Sequence, residues 1–219
     1  MIPVEAINEA SRRCLARGIR ILQGYRLADT DRTHIMVLLG YLSPDHGTKW
    51  LDIGCGFGEC AALMLETRPD LHFELVNNND FQLSQVPDYL SARHADMHRM
   101  PFRDGEFDGA MFLYSLCHAN GLIDALKEAA RVVMAGGRLF VFDYLRKHGN
   151  NARTRECLGA NFFTRDELRA GTRAAGWRMN RLVLPSGNDA VFRAAFGDIE
   201  IYEELFADLV PIIWTATRE

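Results

Sequence analysis

Hydrophobic and polar residues follow two alternating spacings along most of the chain. Apolar residues three and four positions apart are typical of amphipathic helices, and short apolar runs between polar turns are typical of buried strands. The helical spacing predicts helices near residues 4–22, 30–42, 59–66, 121–133 and 163–176. The strand pattern predicts strands within residues 48–54, 73–77, 89–96, 107–115, 138–144, 177–184 and 210–217.

Strands that alternate with helices favour an α/β fold, here a Rossmann-like, mostly parallel seven-stranded sheet with helices on both faces. The last apolar run, 210–217, is expected to return antiparallel beside the sixth strand. Thr164 is expected to cap the start of its helix. The helix from Gly121 is expected to stop at Ala135-Gly136-Gly137, because glycine adopts the left-handed conformation that ends helices.

The length of 219 residues suits one domain with a substantial core. Two stretches fit the sheet poorly, the N-terminal helices and the aromatic-rich segment after the sixth strand. We therefore expect an N-terminal helical cap at 1–45 and a single compact main domain at 46–219, with a lid at 185–209. The lid would lie over the carboxyl edge of the sheet, where ligands bind in such folds.

Composition and charge narrow the class of protein. A hydrophobic content of 48% and a charged content of 25% are those of an ordinary globular domain, and a net charge of −4 argues against a nucleic-acid partner. No apolar run approaches a membrane span, and the N-terminus lacks a signal layout, so we expect a cytoplasmic protein without stable membrane insertion. The five cysteines lack CxxC spacing, which predicts reduced, buried thiols and no metal site. The expected oligomeric state is a monomer or homodimer.

The stretch LDIGCGFGEC closes the first predicted strand and opens the next helix. A dinucleotide fingerprint would need its third glycine at the position of Glu59. Gly54 and Gly56 let the backbone bend and approach a ligand closely. Asp52 suits an ammonium group, and the following helix N-terminus suits a carboxylate. The turn therefore fits the amino-acid end of a ligand better than a pyrophosphate, with a dehydrogenase or nucleotide binder as the alternative.

With its Asp52-x-Gly54-x-Gly56-x-Gly58 motif, the region from about 46 to 184 resembles class I S-adenosylmethionine-dependent methyltransferases. The resemblance implies S-adenosyl-L-methionine as the cofactor and a contact to it from Cys55 in the turn. It also implies a contact from Leu113 at the end of the fourth strand.

Three asparagines follow the second strand in LVNNNDFQ. By the resemblance, the residue that ends this strand holds the ribose hydroxyls, and it is usually acidic; here it is Asn77, with Asn78 beside it. An amide can accept from one hydroxyl and donate to the other oxygen, without the strength of an ionic bond. Asp80 is a competing candidate. A polar turn in which asparagines adopt positive φ is the structural alternative.

A narrower resemblance accounts for the whole run. The segment NNNDFQ and the triplet CHA at 117–119 resemble the corresponding parts of sterol C24-methyltransferases. The resemblance implies that Gln82 lies near the methionine end of the cofactor. These enzymes carry a Glu where this chain has Tyr114, which offers a π face to a cation but is a poor base, with an ordinary pKa near 10.

Two further residues are candidates for the site. By the resemblance, Asp96 accepts the adenine amino hydrogens and Met97 meets the ring; a turn-capping role for Asp96 is the alternative. His118 follows the fourth strand, where an imidazole is able to take a proton near neutral pH. A purely structural role for His118 stays open. Phe107 is expected in the core.

These features predict methyl transfer to a small molecule, with an apolar or prenyl-like acceptor and C-methylation of an alkene as the leading hypothesis. The alternatives are O- or N-methylation with His118 as the base, and a non-catalytic partner protein that binds the cofactor. The arginines at 12, 13, 17 and 20 are interpreted as a solvated helix face, or as phosphate ligands together with Arg153 and Arg155. Other aromatics are expected mostly to pack, with some lining the pocket: Phe57, Tyr25, Tyr41, Tyr144, Phe162, Phe163, Phe192, Phe196, Tyr202 and Trp214.

Overall fold

The structure is a computed structural model that describes residues 4–148, 152, 159–190, 193 and 207–219. Within these residues the strands are β1 Lys49–Ile53, β2 His72–Asn77, β3 Ser91–His94, β4 Phe107–Leu113, β5 Val133–Arg146, β6 Trp177–Val183 and β7 Leu209–Arg218. They form one sheet in the order β3-β2-β1-β4-β5-β7-β6. Only β7 runs antiparallel, between β5 and β6, which confirms the predicted mostly parallel sheet.

Helices cover both faces of the sheet. They are α1 Val4–Ala16, α2 Asp31–Leu42, α3 Glu59–Thr67, α4 Asp80–Leu83, α5 Leu122–Val132 and α6 Arg165–Ala174. Residues of α2 and α3 share one buried hydrophobic cluster with β1 and β2, whereas α5 and α6 pack in a second cluster on the other face. Phe107 lies in that second core, 1% exposed, as predicted. Burial of both faces explains why the central strands read as continuous apolar runs.

The first helix is shorter than predicted. The sequence pattern suggested a helix over 4–22, but α1 ends before Gly18, which has a φ of +70°. The N–H of Ile19 donates to the carbonyl of Cys14 at 2.9 Å, which is the long bond of a Schellman cap. Arg20 is therefore not part of a helix face, and the chain continues from Gly18 toward the sheet.

The helix α5 also ends earlier than predicted. The expected stop at Ala135-Gly136-Gly137 is wrong, because the helix ends at Val132 and Val133 already pairs with Phe107. Gly136 does adopt a positive φ of +77°, but it does so in an irregular stretch within β5. The start of α6 is as predicted: the Thr164 side chain accepts from the third residue of the helix, whose own side chain caps Thr164 in return.

The N-terminal region contacts the described part of the expected lid. The backbone of Arg26 pairs with that of Asn188 in both directions, at 2.6 and 2.8 Å. A Cβ on Gly187 would lie 2.0 Å from the carbonyl oxygen of Arg26, so this contact requires glycine. The proposed domain limits at 1–45, 46–219 and 185–209 stay predictions. Several residues of interest lie outside the described part of the chain: Arg153, Arg155, Cys157, Phe192, Phe196 and Tyr202.

Cysteines and aromatics follow the sequence expectations where they are described. Cys14, Cys55, Cys60 and Cys117 are free thiols and buried. Most of the described aromatics pack in the core, including Trp214, which is fully buried. Among the described helices, none is both long and apolar enough to cross a membrane.

Candidate active site

A cavity of about 330 Å³ lies at the carboxyl ends of β1, β2 and β4. This is the edge at which open α/β sheets bind ligands, and the volume is in the range of small-molecule pockets. The cavity wall contains all the residues that the sequence predicted for the cofactor or for catalysis: Asp52, Gly54, Cys55, Gly56, Asn77, Asn78, Gln82, Asp96, Met97, Leu113, Tyr114 and His118. Direct contact of each with a ligand stays a prediction.

The glycine turn is closely packed against the loop after β4. Gly54 has a φ of +78°, and a Cβ there would lie 2.4 Å from the Cβ of Ser115. Its N–H donates to the carbonyl of Val76 at 2.8 Å, which fixes the turn to β2. Gly58, also at positive φ, begins α3 without a side-chain cap. The first N–H groups of α3 thus have no partner within the helix, as a ligand carboxylate requires.

Asp52 is a buried carboxylate beside this turn. It is 1% exposed, and neither of its oxygens has a hydrogen-bond partner among the described residues. Burial raises the pKa of Asp52 from 3.8 to about 7. A carboxylate in such a place is stabilised by a cation, and the ammonium group of S-adenosylmethionine is one. The residues present therefore fit the amino-acid end of the cofactor.

The amide of Asn77 is partly engaged within the chain. Its Nδ2 donates to Oε1 of Gln82 at 2.8 Å, and its Oδ1 accepts from the backbone N–H of Asn79 at 3.2 Å. A side-chain amide carries two N–H groups and two acceptor positions, so Asn77 keeps one of each for a ligand, and its contact with the ribose stays a prediction. Asn78 is exposed on the cavity wall, so its amide is the more accessible of the two.

Asp96 both shapes a turn and lines the cavity. Its Oδ1 accepts from the backbone N–H of His98 at 2.9 Å and from the His98 ring at 2.6 Å. Partial burial raises the pKa of Asp96, but these hydrogen bonds outweigh it and leave the pKa below its ordinary value. The carboxylate is charged at neutral pH, and its second oxygen is available to accept from an adenine amino group. The two roles considered for Asp96 are thus compatible.

His118 lies on a one-turn 3-10 helix, Leu116–His118, that Asp143 holds in place. Asp143 accepts from the backbone N–H groups of Cys117 and Tyr144, at 3.0 and 2.8 Å, and burial raises its pKa to about 6. His118 is exposed and lines the cavity, and desolvation by the surrounding protein lowers its pKa below 6.5. Its Nδ1 lies 3.3 Å from the carbonyl of Gly159, which assigns the proton to Nδ1 and leaves Nε2 as a base.

Tyr114 forms an aromatic wall of the cavity. It adopts a φ of +64°, which is strained for a residue with a side chain. Its backbone N–H donates to the carbonyl oxygen of Phe142 at 2.7 Å. Its ring meets that of Tyr144 edge to face, with centroids 5.0 Å apart. The hydroxyl is buried beside Gly24 and has no partner among the described residues. Tyr114 thus brings to the cavity a ring with a π face and a buried hydroxyl that lacks a described partner.

Residues 20–23, which we call the strap, also line the cavity. Of these, the sequence pattern singled out Arg20 alone, as a candidate phosphate ligand. Arg20 places Nε 2.6 Å from a carboxylate oxygen of Glu59 and donates to the carbonyl of Gln85. Its predicted place on a solvated helix face is wrong, and its charge is already paired. Leu22 covers Gly56, since a Cβ on that glycine would lie 3.4 Å from the leucine. No motif marks the strap, and the helical spacing of its apolar residues predicted a helix where the chain forms neither helix nor strand.

Buried polar groups hold the strap in place. Arg26 is 2% exposed and donates to the carbonyls of Gln23 and Ile21, at 2.9 and 2.8 Å. His34 accepts the N–H of Leu27 on Nδ1, so its other nitrogen donates to the Gln23 side chain. Burial lowers the pKa of His34 to about 3, which keeps it neutral. The strap is thus fixed by groups that a displaced strap would leave unpaired.

Comparison with known proteins finds relatives of the region that forms this site. Residues 51–141 match the family described as a methyltransferase domain. The O-methyltransferase rstn1 of Aspergillus nomiae is 34% identical over 114 residues, which cover 47% of this chain and 49% of that protein. Cycloartenol-C-24-methyltransferase 1 of Oryza sativa subsp. japonica is 27% identical over 207 residues, which cover 87% and 55%. The chain spans about half the length of these curated relatives.

Solved structures agree on the fold. The 4+2 cyclase SpnF superposes with a TM-score of 0.81 at 19% identity, covering 97% of this chain and 93% of that one. At this identity the likeness establishes the architecture alone. Residues 51–141 thus match a methyltransferase domain, and the fold and the motif Asp52-x-Gly54-x-Gly56-x-Gly58 are similar to those of class I S-adenosylmethionine-dependent methyltransferases.

Proposed function

We propose that the chain transfers the methyl group of S-adenosylmethionine to a carbon of a small, largely apolar alkene such as an isoprenoid. The observation that supports carbon as the acceptor is the pairing of an aromatic wall at Tyr114 with a neutral imidazole at His118, both lining one cavity. When bound, S-adenosylmethionine supplies an electrophilic methyl group on a cationic sulfur.

Different residues bind the amino-acid end, the ribose and the adenine of the cofactor. Asp52 binds the ammonium group, and the N-terminus of α3 faces the carboxylate. Asn78 and the remaining N–H and acceptor position of Asn77 bind the ribose, and Asp96 accepts from adenine. Fixing both reactants in line is the main contribution that this chain makes to the rate, because the displacement needs positioning more than acid–base chemistry.

Tyr114 and His118 act on the positive charge that methyl transfer creates on the acceptor. When an alkene carbon bonds to the methyl group, the neighbouring carbon becomes cationic, and loss of a proton from an adjacent carbon restores a double bond. The ring of Tyr114 stabilises the cation through its π face, supported by the edge contact with Tyr144. Nε2 of His118 accepts the proton, since the lowered pKa keeps this nitrogen unprotonated at neutral pH.

O- or N-methylation of a small metabolite is the second candidate. It is favoured by the 34% identity to an O-methyltransferase and by the same free Nε2 of His118, which would deprotonate a hydroxyl or ammonium before transfer. The two candidates differ in when the base is needed. For an alkene, methyl transfer precedes proton loss, so a His118→Gln variant still forms the new carbon–carbon bond and releases altered products, such as a hydrated alcohol.

The test is a turnover screen with methyl-13C-labelled S-adenosylmethionine against free isoprenoids, short prenyl diphosphates and phenols. NMR of the product locates the label. Label on carbon supports the proposal, and label on oxygen or nitrogen replaces it by the second candidate. Calorimetric uptake of the cofactor without turnover on any acceptor would instead support a non-catalytic, cofactor-binding partner protein.

A further inference from the structure

We infer that the asparagine run fastens the cap helix α1 over the cofactor cavity, so that Asn8 and Ser11 act as positioning residues for the cofactor although neither lines the cavity. The inference deepens the proposed function and rests on cofactor binding at this site. It also accounts for amides at the end of β2, where the family usually has an acid.

Two hydrogen bonds join the run to α1. Nδ2 of Asn79 donates to Oδ1 of Asn8 at 3.0 Å, and Nε2 of Gln82 donates to Oγ of Ser11 at 2.9 Å. Ser11 and Gln82 are 2% and 8% exposed, so water does not compete freely for the second bond. These bonds cross 71 positions of sequence and bring the first helix onto the edge of the cofactor site.

Hydrogen bonds among residues 77–82 set the orientation of the Asn79 and Gln82 side-chain amides. Oδ1 of Asn79 accepts the N–H of Gln82 as the cap of α4, at 3.0 Å, so its Nδ2 is the group left to face α1. Oε1 of Gln82 accepts from Nδ2 of Asn77 at 2.8 Å, which turns the Gln82 Nε2 toward Ser11. Each side chain must accept on one side and donate on the other, and a carboxylate has no N–H to donate.

The docked helix completes the cavity. Ile7 of α1 lines it directly, and the strap that follows the helix supplies Arg20 and Leu22. The guanidinium of Arg12 lies over the ring of Phe81, 5.1 Å from its centroid, which adds a third contact between α1 and α4. Because α1 and the strap are continuous, release of α1 removes part of the cavity wall. Docking of α1 and binding of the cofactor therefore favour each other.

Alanine substitutions on α1 test the inference, because alanine is the best helix former and does not weaken the helix itself. Ser11→Ala and Asn8→Ala should each weaken binding of S-adenosylhomocysteine about fivefold, and the double variant on the order of 20-fold, as expected for buried hydrogen bonds. Calorimetry measures the affinity. At saturating cofactor kcat should be unchanged while KM for S-adenosylmethionine rises, which a general loss of folding would not produce.

Hydrogen exchange provides the second readout. In the wild type, S-adenosylhomocysteine should protect the amides of residues 4–16, and in the double variant these amides should exchange faster and gain less protection. Ala16→Gln, at an exposed position of the same helix, is the matched control and should leave both readouts unchanged.

Wild-type affinity and exchange in the double variant would overturn the inference while leaving the proposed function intact. Failure of the wild type to take up S-adenosylhomocysteine would overturn the proposed function and with it the positioning role of Asn8 and Ser11. Faster exchange of residues 4–16 in the double variant would then show that the helix docking alone survives.

Discussion

Replacing the Asp52 carboxylate by an amide, Asp52→Asn, should make the cofactor-free chain progressively more stable relative to wild type as the pH rises. The carboxyl is 1% exposed, has no hydrogen-bond partner among the described residues, and has its pKa raised by burial from 3.8 to about 7. The folded chain therefore holds a proton that the unfolded chain releases between these values. Stability from this group is greatest at low pH and is lost as the pH rises through that window.

The magnitude follows from the same two values. They differ by about three pH units at about 1.4 kcal/mol each, so the charged Asp52 costs the folded chain up to about 4 kcal/mol at pH 8 and about 1 kcal/mol at pH 4.5. The stability of Asp52→Asn relative to wild type should therefore grow by about 3 kcal/mol over that range. Because the amide no longer pairs with the ammonium group of the cofactor, the substitution should also weaken cofactor binding on the order of 100-fold.

Urea denaturation of both proteins at pH 4.5, 6, 7 and 8 measures the first effect, and calorimetry with S-adenosylhomocysteine at pH 8 measures the second. Asp166→Asn, which changes an exposed carboxylate on α6, is the control and should show no comparable growth. The assignment of Asp52 as a buried carboxylate that binds the ammonium group of the cofactor would be refuted by either of two results. One is a difference in the free energy of unfolding between variant and wild type that does not change with pH, and the other is unimpaired cofactor binding by the variant.

Three further predictions concern the turn, the base and a helix cap. Gly54→Ala should cost about 3 kcal/mol or more in urea denaturation, because its Cβ would lie 2.4 Å from Ser115; Gly136→Ala, with similar φ but open space around it, should cost only about 1–2 kcal/mol. If the base is needed before transfer, His118→Gln should slow labelled methyl transfer on the order of 100-fold, and the wild-type rate should fall only as the pH drops below 6.5, because the pKa of His118 is lowered. If carbon is the acceptor, the variant should still transfer the label and should release altered products. Thr164→Ala should cost about 1 kcal/mol of stability and leave cofactor affinity unchanged; an altered affinity would contradict the separation of α6 from the site.

The sheet and the cofactor end of the site were predictable from sequence because both depend on local patterns. Apolar runs and turn residues determine strands, and Asp52 with its glycines marks a single turn whose backbone geometry follows from residue type. The narrow match around Asn77 and His118 also led to residues that line the cavity. Each of these signals is contained within about ten neighbouring positions.

The strap and the docking of α1 were not predictable, because they depend on contacts between distant parts of the chain. Arg20 pairs with Glu59, 39 positions away, and Ser11 meets Gln82 across 71 positions. The wrong prediction for the end of α1 did have a local signal in the sequence. Gly18 ends α1 with a left-handed cap, but the apolar residues that follow it continue the helical spacing and suggested a longer helix.

The roles of the asparagines show the same limit. The resemblance implied that Asn77 holds the ribose, and the structure adds a second role, because its Nδ2 donates to Gln82 and helps to orient the amide that meets α1. Which of two hydrogen-bonding roles a side chain performs is decided by neighbours that a single sequence does not reveal.

A crystal structure with S-adenosylhomocysteine bound tests the central claim most directly. The account predicts the amino group within hydrogen-bond distance of the Asp52 carboxylate, the ribose against Asn77 and Asn78, and the adenine beside Asp96. Density for the molecule elsewhere on the protein, or an amino group that leaves the Asp52 oxygens without a partner, would contradict the account.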